Sequence, residues 1–235
     1  MENPARVLVV TAHPDDVDFG AAGTVASWTA AGVHVAYCIV TDGDAGGFDE
    51  TMPRPAMAEL RRKEQTAAAA AVGVNELHFL GYPDGRLVSS IELRRDISRV
   101  IREVQPDRVL CQSPERNYSR IFASHPDHLA AGEAALAAVY PDSRNPFAHP
   151  ELLEGGFEPH TVRDVWLMAD PVMDVFVDTT DQIDRKVAAL RNHQSQLTDP
   201  DATEAMVREW GARLGTEAGL GAGRTAEGFR VVVTA

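Results

Sequence analysis

The order of apolar and polar residues divides the chain into two alternating rhythms. Short runs rich in β-branched residues occupy 5–11 (ARVLVVT), 34–40 (HVAYCIV), 77–80 (LHFL) and 108–112 (RVLCQ), each giving way to Gly, Pro, Asp or Ser. Runs this short and this continuously apolar predict strands buried on both faces of a parallel sheet. Between them, 21–31, 56–72, 91–103 and 129–139 carry helical patterns, the second alanine-rich with its charges gathered in ELRRKEQ. Further strands over 162–169, 174–180 and 229–235, with a helix around 181–196, complete the sheet. Strands alternating with helices predict an α/β fold, a Rossmann-like three-layer sandwich with a mostly parallel sheet and its active site at the carboxyl ends of the strands. Residues 140–161, rich in Pro, Gly, Asn and His, read as a long functional or mobile loop, and 215–228 is too glycine-rich for a stable helix. With no internal repeat and no clear linker in 235 residues, one domain over 1–235 is expected.

Composition narrows the partners. Hydrophobic content of 44% with 24% charged residues is ordinary for a globular chain, and no apolar run nears the roughly 20 residues of a membrane span, so membrane insertion is not expected. The opening MENPARVLVV has an acid in place of a basic leader region and no cleavage pattern, which points to the cytoplasm. Cys38 and Cys111 lie inside apolar segments and read as small buried hydrophobes. A net charge of −13, with no Lys/Arg cluster interleaved with aromatics, sets the chain against nucleic acid. The sequence leaves the oligomeric state open, a homo-oligomer included.

The candidate chemistry sits at two strand ends. In VLVVTAHPDDVDFG (7–20) the first strand empties into His13, Pro14, Asp15 and Asp16. Pro14 suits the first helical position, which predicts His13 near the N-cap and both aspartates in the first turn. SHPDHLAAGEAAL (124–136) repeats the arrangement after the fourth strand, with His125 and His128 three apart, as are His13 and Asp16. One such turn is as readily a helix start whose acids offset the dipole; two at one sheet edge can face each other across a cleft. A catalytic zinc site takes three imidazole or carboxylate ligands and leaves a position for water, and His13, Asp16 and His128 meet that count. Asp15, beside a ligand without being one, is the candidate base. His125 is the second imidazole, to stabilise the carbonyl oxygen or protonate the leaving amine, with Asp127 expected to orient it and raise its pKa. Iron(II) is the second choice of metal, because a His/His/Asp set also serves iron enzymes.

At these residues the chain resembles the PIG-L/LmbE-type zinc-dependent de-N-acetylases, which remove acetyl from N-acetylglucosamine conjugates. AHPDD (12–16) and HPDH (125–128) match that family's signatures, and TDGDAGG (41–47), RRKEQTAAAAAVGV (61–74), LGYPDG (80–85) and KVAALRNHQSQ (186–196) extend the likeness through most of the chain. The resemblance implies His13, Asp16 and His128 as metal ligands, Asp15 as base, His125 as electrostatic or acid assistant, and Arg61, Asp84 and Asp44 as contacts to a small amino-sugar conjugate. It departs at Ala123, where some relatives carry a tyrosine near the reacting carbonyl; Tyr118 is one replacement. Asp84 lies in a Pro-Asp-Gly turn that forms whatever the function. His193 could cap a helix or reach the cleft, whereas His34, His78, His149 and His160 lack partners at a recognisable spacing. The remainder of the conjugate is expected against 140–161. The competing readings are a thiol S-conjugate amidase of the same fold, a receiver-like metal-binding signalling module, and a glycosyltransferase using DVD (16–18). An oxygen-seeking magnesium pocket has no use for His13 and His128, and a glycosyltransferase leaves HPDH unexplained.

Overall fold

A computed structural model describes residues 4–235; Met1 to Asn3, with the acidic opening position Glu2, lie outside the described residues. Seven strands, β1 (Arg6–Thr11), β2 (His34–Thr41), β3 (Glu76–Tyr82), β4 (Arg108–Gln112), β5 (Asp164–Met168), β6 (Val175–Asp178) and β7 (Ala226–Val233), form one sheet in the order β3-β2-β1-β4-β5-β7-β6. The first five run parallel, while β7 pairs antiparallel with both β5 and β6. Val7 stands opposite Val35 on one side and Arg108 on the other. The helices are α1 (Asp16–Gly20), α2 (Ala22–Ala30), α3 (Arg54–Ala71), α4 (Ile91–Val104), α5 (Pro126–Ala137), α6 (Pro150–Glu154), α7 (Ile183–Leu190) and α8 (Pro200–Glu217).

The pleat sends alternate strand residues to opposite faces, which is why the strand sequences are apolar throughout. Leu8, Val10, Cys38 and Cys111 pack against Leu93, Ile97 and Ile101 of α4 and Ala134 of α5. Val7, Val9, Tyr37 and Ile39 turn the other way, toward Val25 of α2 and Ala68 and Ala69 of α3. Each fully buried aliphatic contributes about 1.5–3 kcal/mol through removal from water. Both cysteines are free and buried, and burial pushes their thiols up to about 12, so they act as hydrophobes. No helix is long and apolar enough to cross a membrane.

Two segments differ from expectation. Residues 200–217 form α8, which the hydrophobic pattern does not announce; its start is set by Asp199, whose side chain accepts from the N–H groups of Asp201 (3.1 Å) and Ala202 (2.9 Å), with Pro200 following. Residues 140–161 are not a free loop. They contain α6, Arg94 of α4 grips Asp142 through two bonds of 2.8 and 2.9 Å, and Arg102 donates to the carbonyls of Asp142, Asn145 and Ala148. Charged donors on buried carbonyls pin the segment to α4.

Candidate active site

Because β1 lies between β2 and β4, the chain leaves it toward β2 and β3 and then crosses to β4 on the other side. Strand order therefore reverses between β1 and β4, and a crevice opens at their carboxyl ends, the usual ligand position in open α/β sheets. The two His-Pro-Asp turns flank it. The second forms as predicted: His125 is the N-cap of α5, Pro126 holds the first helical position, and the His125 Nδ1 accepts the Asp127 N–H at 3.1 Å. The first does not. Helix α1 starts only at Asp16, and its N-cap is Asp15, not His13, with φ 94° and ψ −27°. That conformation costs an L-residue about 1–3 kcal/mol and persists where its surroundings fix it. Here Gln65 Oε1 accepts the Asp15 N–H (2.8 Å), the Asp15 carbonyl accepts from Asp18 and Phe19 (2.9 and 3.0 Å), and Arg61 donates to its carboxylate (3.0 Å).

The strained turn brings Asp16 between two imidazoles. One Asp16 oxygen is 3.0 Å from His128 Nε2 and the other 3.3 Å from His13 Nδ1. The rings of His13, His125 and His128 lie 4.9 to 5.3 Å apart. Two sets of donor atoms converge within 4.8 Å, His13/His125/His128 and His13/Asp84/Asp127. Burial would raise Asp16, but His128 and His13 hold its carboxyl well below the ordinary range. Burial also opposes charge on His13, yet Asp16, Asp127 and Asp84 outweigh it and lift the imidazole to about 12; His128 is raised against burial by Asp16. Burial pushes Asp15 up to about 6 against the pull of Arg61. Imidazoles and carboxylates crowded together in a dry crevice fit a divalent transition metal, which offsets the charge that burial disfavours.

Several predicted roles change on contact with the geometry. The Asp127 carboxylate does not face His125: it accepts from the N–H groups of Gly85 (2.7 Å) and Leu87 (3.1 Å) and lies 3.2 Å from His13 Nε2. The pKa of His125 is lowered, not raised, by partial burial and by the charges of His13 and His128. Asp84 stands 3.1 Å from the same His13 nitrogen. Asp44 is held by Arg54 through two 2.9 Å bonds and accepts the Asp84 N–H, so it shapes the turn carrying Asp84. Arg61, expected to contact substrate, is 4% exposed and donates to the carbonyls of Gly43 and Pro14 as well as to Asp15. Tyr118 is 84% exposed, on the surface.

Gln65 escaped sequence reading, Asp18 entered it only through the competing DVD (16–18) reading, and His193 was undecided there. His193 is fully buried, with Nε2 2.8 Å from Asp18, and Asp18 in turn accepts from Gln65 at 2.9 Å. The available signal for Gln65 was helical phase: it lies one turn beyond Arg61 on α3. The remaining histidines are structural, His34 and His78 against Glu76, His149 against Asp142 and His160 against the Pro106 carbonyl.

A Rossmann-like sheet that presents two histidine-aspartate turns and a buried carboxylate at its switch point defines a metal-dependent hydrolase. Residues 8–139 match the PIG-L family, described as GlcNAc-PI de-N-acetylase, and the chain belongs to that family. It is 32% identical to the diacetylchitobiose deacetylase of Thermococcus kodakarensis over 229 residues, 97% of this chain and 83% of the relative. It is also 32% identical, over 89% of each chain, to a probable N-acetyl-α-D-glucosaminyl L-malate deacetylase 2 of Bacillus cereus. Among solved structures, the N,N'-diacetylchitobiose deacetylase of Pyrococcus horikoshii in complex with an inhibitor superposes with a TM-score of 0.90 at 32% identity, covering 98% of this chain and 85% of that one.

Proposed function

We propose that residues 1–235 form one de-N-acetylase domain that hydrolyses the acetamide of an N-acetylglucosamine conjugate, with zinc held by His13, Asp16 and His128. The observation that carries the reading is the Asp16 carboxylate reaching His13 with one oxygen and His128 with the other. Asp127 already accepts two backbone N–H groups and, with Asp84, faces the opposite nitrogen of His13, the position of an orienting carboxylate rather than a ligand. His125 has its Nδ1 engaged by the Asp127 N–H. Buried free cysteines accord with a cytoplasmic enzyme.

A zinc ion at that position supplies Lewis acidity toward the carbonyl and brings the pKa of water to about 7. Asp15 takes the proton of the attacking water, Arg61 and the Gln65 amide holding its carboxylate and backbone in place. Because Nδ1 of His125 is an acceptor, the proton of the neutral ring resides on Nε2, which can donate to the oxygen as charge develops. As the C–N bond breaks, Asp15 returns its proton to the nitrogen, releasing acetate and the free amine. Asp15→Asn is expected to lower acetate release by about 10²–10⁴-fold, the usual worth of a general base, while zinc content stays unchanged. Acetate assay and metal analysis on the same preparation check this; turnover near wild type would remove Asp15 from the role.

A further inference from the structure

Resting on that reading, we propose that the conjugate carries a carboxylate on its aglycone, received by Arg120 and Arg213. A cavity of about 830 Å³ opens from Asp16 and His128 toward β7 and α8, and no residue of 140–161 lines it. Its walls are largely apolar, with Met168, Met206, Trp210 and Leu214 among them, and Arg120 and Arg213 border it. The Arg120 guanidinium stands 4.7 Å from the Trp210 ring centroid and 5.2 Å from that of Phe122. Among the described residues neither Arg120 nor Arg213 has a carboxylate within salt-bridge distance, and the Arg120 guanidinium has no hydrogen-bond acceptor.

The other charges at the cavity are accounted for. Lys186 pairs with Glu227 at 2.6 Å, Asp170 accepts from Ser113 at 2.6 Å and faces Arg230, and Asp16 lies between its imidazoles; Glu209 is exposed one turn before Arg213 on α8 and forms no ion pair with Arg120. Arg213 is exposed and hydrated at the rim, so the donors left unmet are those of the half-buried Arg120. Partial burial, and then Arg213, lower the pKa of Arg120. An arginine side chain presents five donors in a planar fork that matches a carboxylate, and half-burial strengthens the pairing. Aromatic faces stabilise the charge but accept none of those bonds in the plane of the fork.

The test compares 4-carboxyphenyl N-acetylglucosaminide with its 4-carbamoylphenyl isostere, which differs in charge alone. With zinc-loaded protein, kcat/KM for the carboxylate is expected to exceed that for the amide by about ten- to a hundredfold. The preference should reside in KM, shrink as salt rises from 50 to 500 mM, fall to near one in Arg120→Gln, and return in part in Arg120→Lys. Equal kcat/KM for the two, or a preference that survives Arg120→Gln, overturns the proposal. Calorimetric binding of both glycosides to Asp15→Asn separates this from the hydrolytic reading. If neither releases acetate but the carboxylate binds more tightly through Arg120, the deacetylase reading fails and the anion site stands; equal binding overturns the anion site.

Discussion

His193 shows what a single residue contributes from a distance. Its Nε2 meets Asp18 at 2.8 Å, Asp18 accepts from Gln65 at 2.9 Å, and the other end of that amide accepts the Asp15 N–H at 2.8 Å. A fully buried imidazole just beyond α7 thus anchors the strained backbone of Asp15, the proposed base. Burial opposes charge on His193, but Asp18, and then Asp15 and Glu64, raise its pKa above the ordinary value. Since the folded pKa lies above that of the unfolded chain, about 6.5, the contribution is complete below that pH and is lost as pH rises through the folded value. His193→Gln should therefore cost about 3 kcal/mol at pH 5.5, the low end for breaking a buried charged pair, and clearly less at pH 9. Urea unfolding of metal-free protein at both pH values decides this, and equal losses would mean that His193 is neutral in the fold. Sequence could not show the network, because Asp18 and His193 are separated by 175 positions and Asp18 and Gln65 by 47. The metal and base candidates were legible for the opposite reason: each set is local, packed into two short turns.

At the scale of elements, the sheet and most helices follow from apolar runs and helical phase, whereas the contacts between elements do not. Gly132 reads as one small residue in an alanine-rich helix. In the fold, a Cβ there would lie 2.3 Å from the Gln112 carbonyl oxygen and 3.1 Å from Pro114 N, so α5 rests directly on the end of β4. Gln112 in turn accepts the Ala12 N–H at 2.8 Å, joining the ends of β4 and β1 where the two turns begin. Gly132→Ala gains about 1 kcal/mol of helix propensity, but no rotamer relieves a clash with backbone, and overpacking costs about 1–3 kcal/mol or more. The expected outcome is a lower melting temperature together with reduced turnover, because His125 and His128 ride on the first turn of the displaced helix. A stabilised, fully active variant would show α5 free to shift. Helix α8 was illegible for a related reason: its start is signalled by the Asp199 cap and Pro200 rather than by an apolar stripe, and its position over the cavity is set by tertiary packing. The first turn misled through Pro14, whose preference for an early helical position is overridden where Arg61 and Gln65 hold Asp15 outside the helix.

For the whole molecule, the site gathers side chains from residue 13 to residue 193 onto one edge of the sheet, and His13 and Asp127, 114 positions apart, meet at 3.2 Å. Asp15, Asp16, Asp84 and Asp127 place four carboxyl groups there, in a chain already at −13. A divalent cation bound across the two turns reduces that repulsion and links β1 to β4, so occupancy should register as global stability. An ion that binds only the folded state stabilises it by about 4 kcal/mol at a thousandfold excess over its Kd, which for a chain of this size raises the melting temperature by about 10 °C. Zinc added to chelator-stripped protein at pH 7.5 should give a rise of that order. His128→Ala should remove most of it, and at pH 5 it should shrink as protons compete for the imidazoles. Zinc that binds one-to-one without moving the melting temperature, or a rise that persists in His128→Ala, would place the ion elsewhere on this acidic surface; a rise that disappears with His128 ties the metal to the edge where the two turns meet.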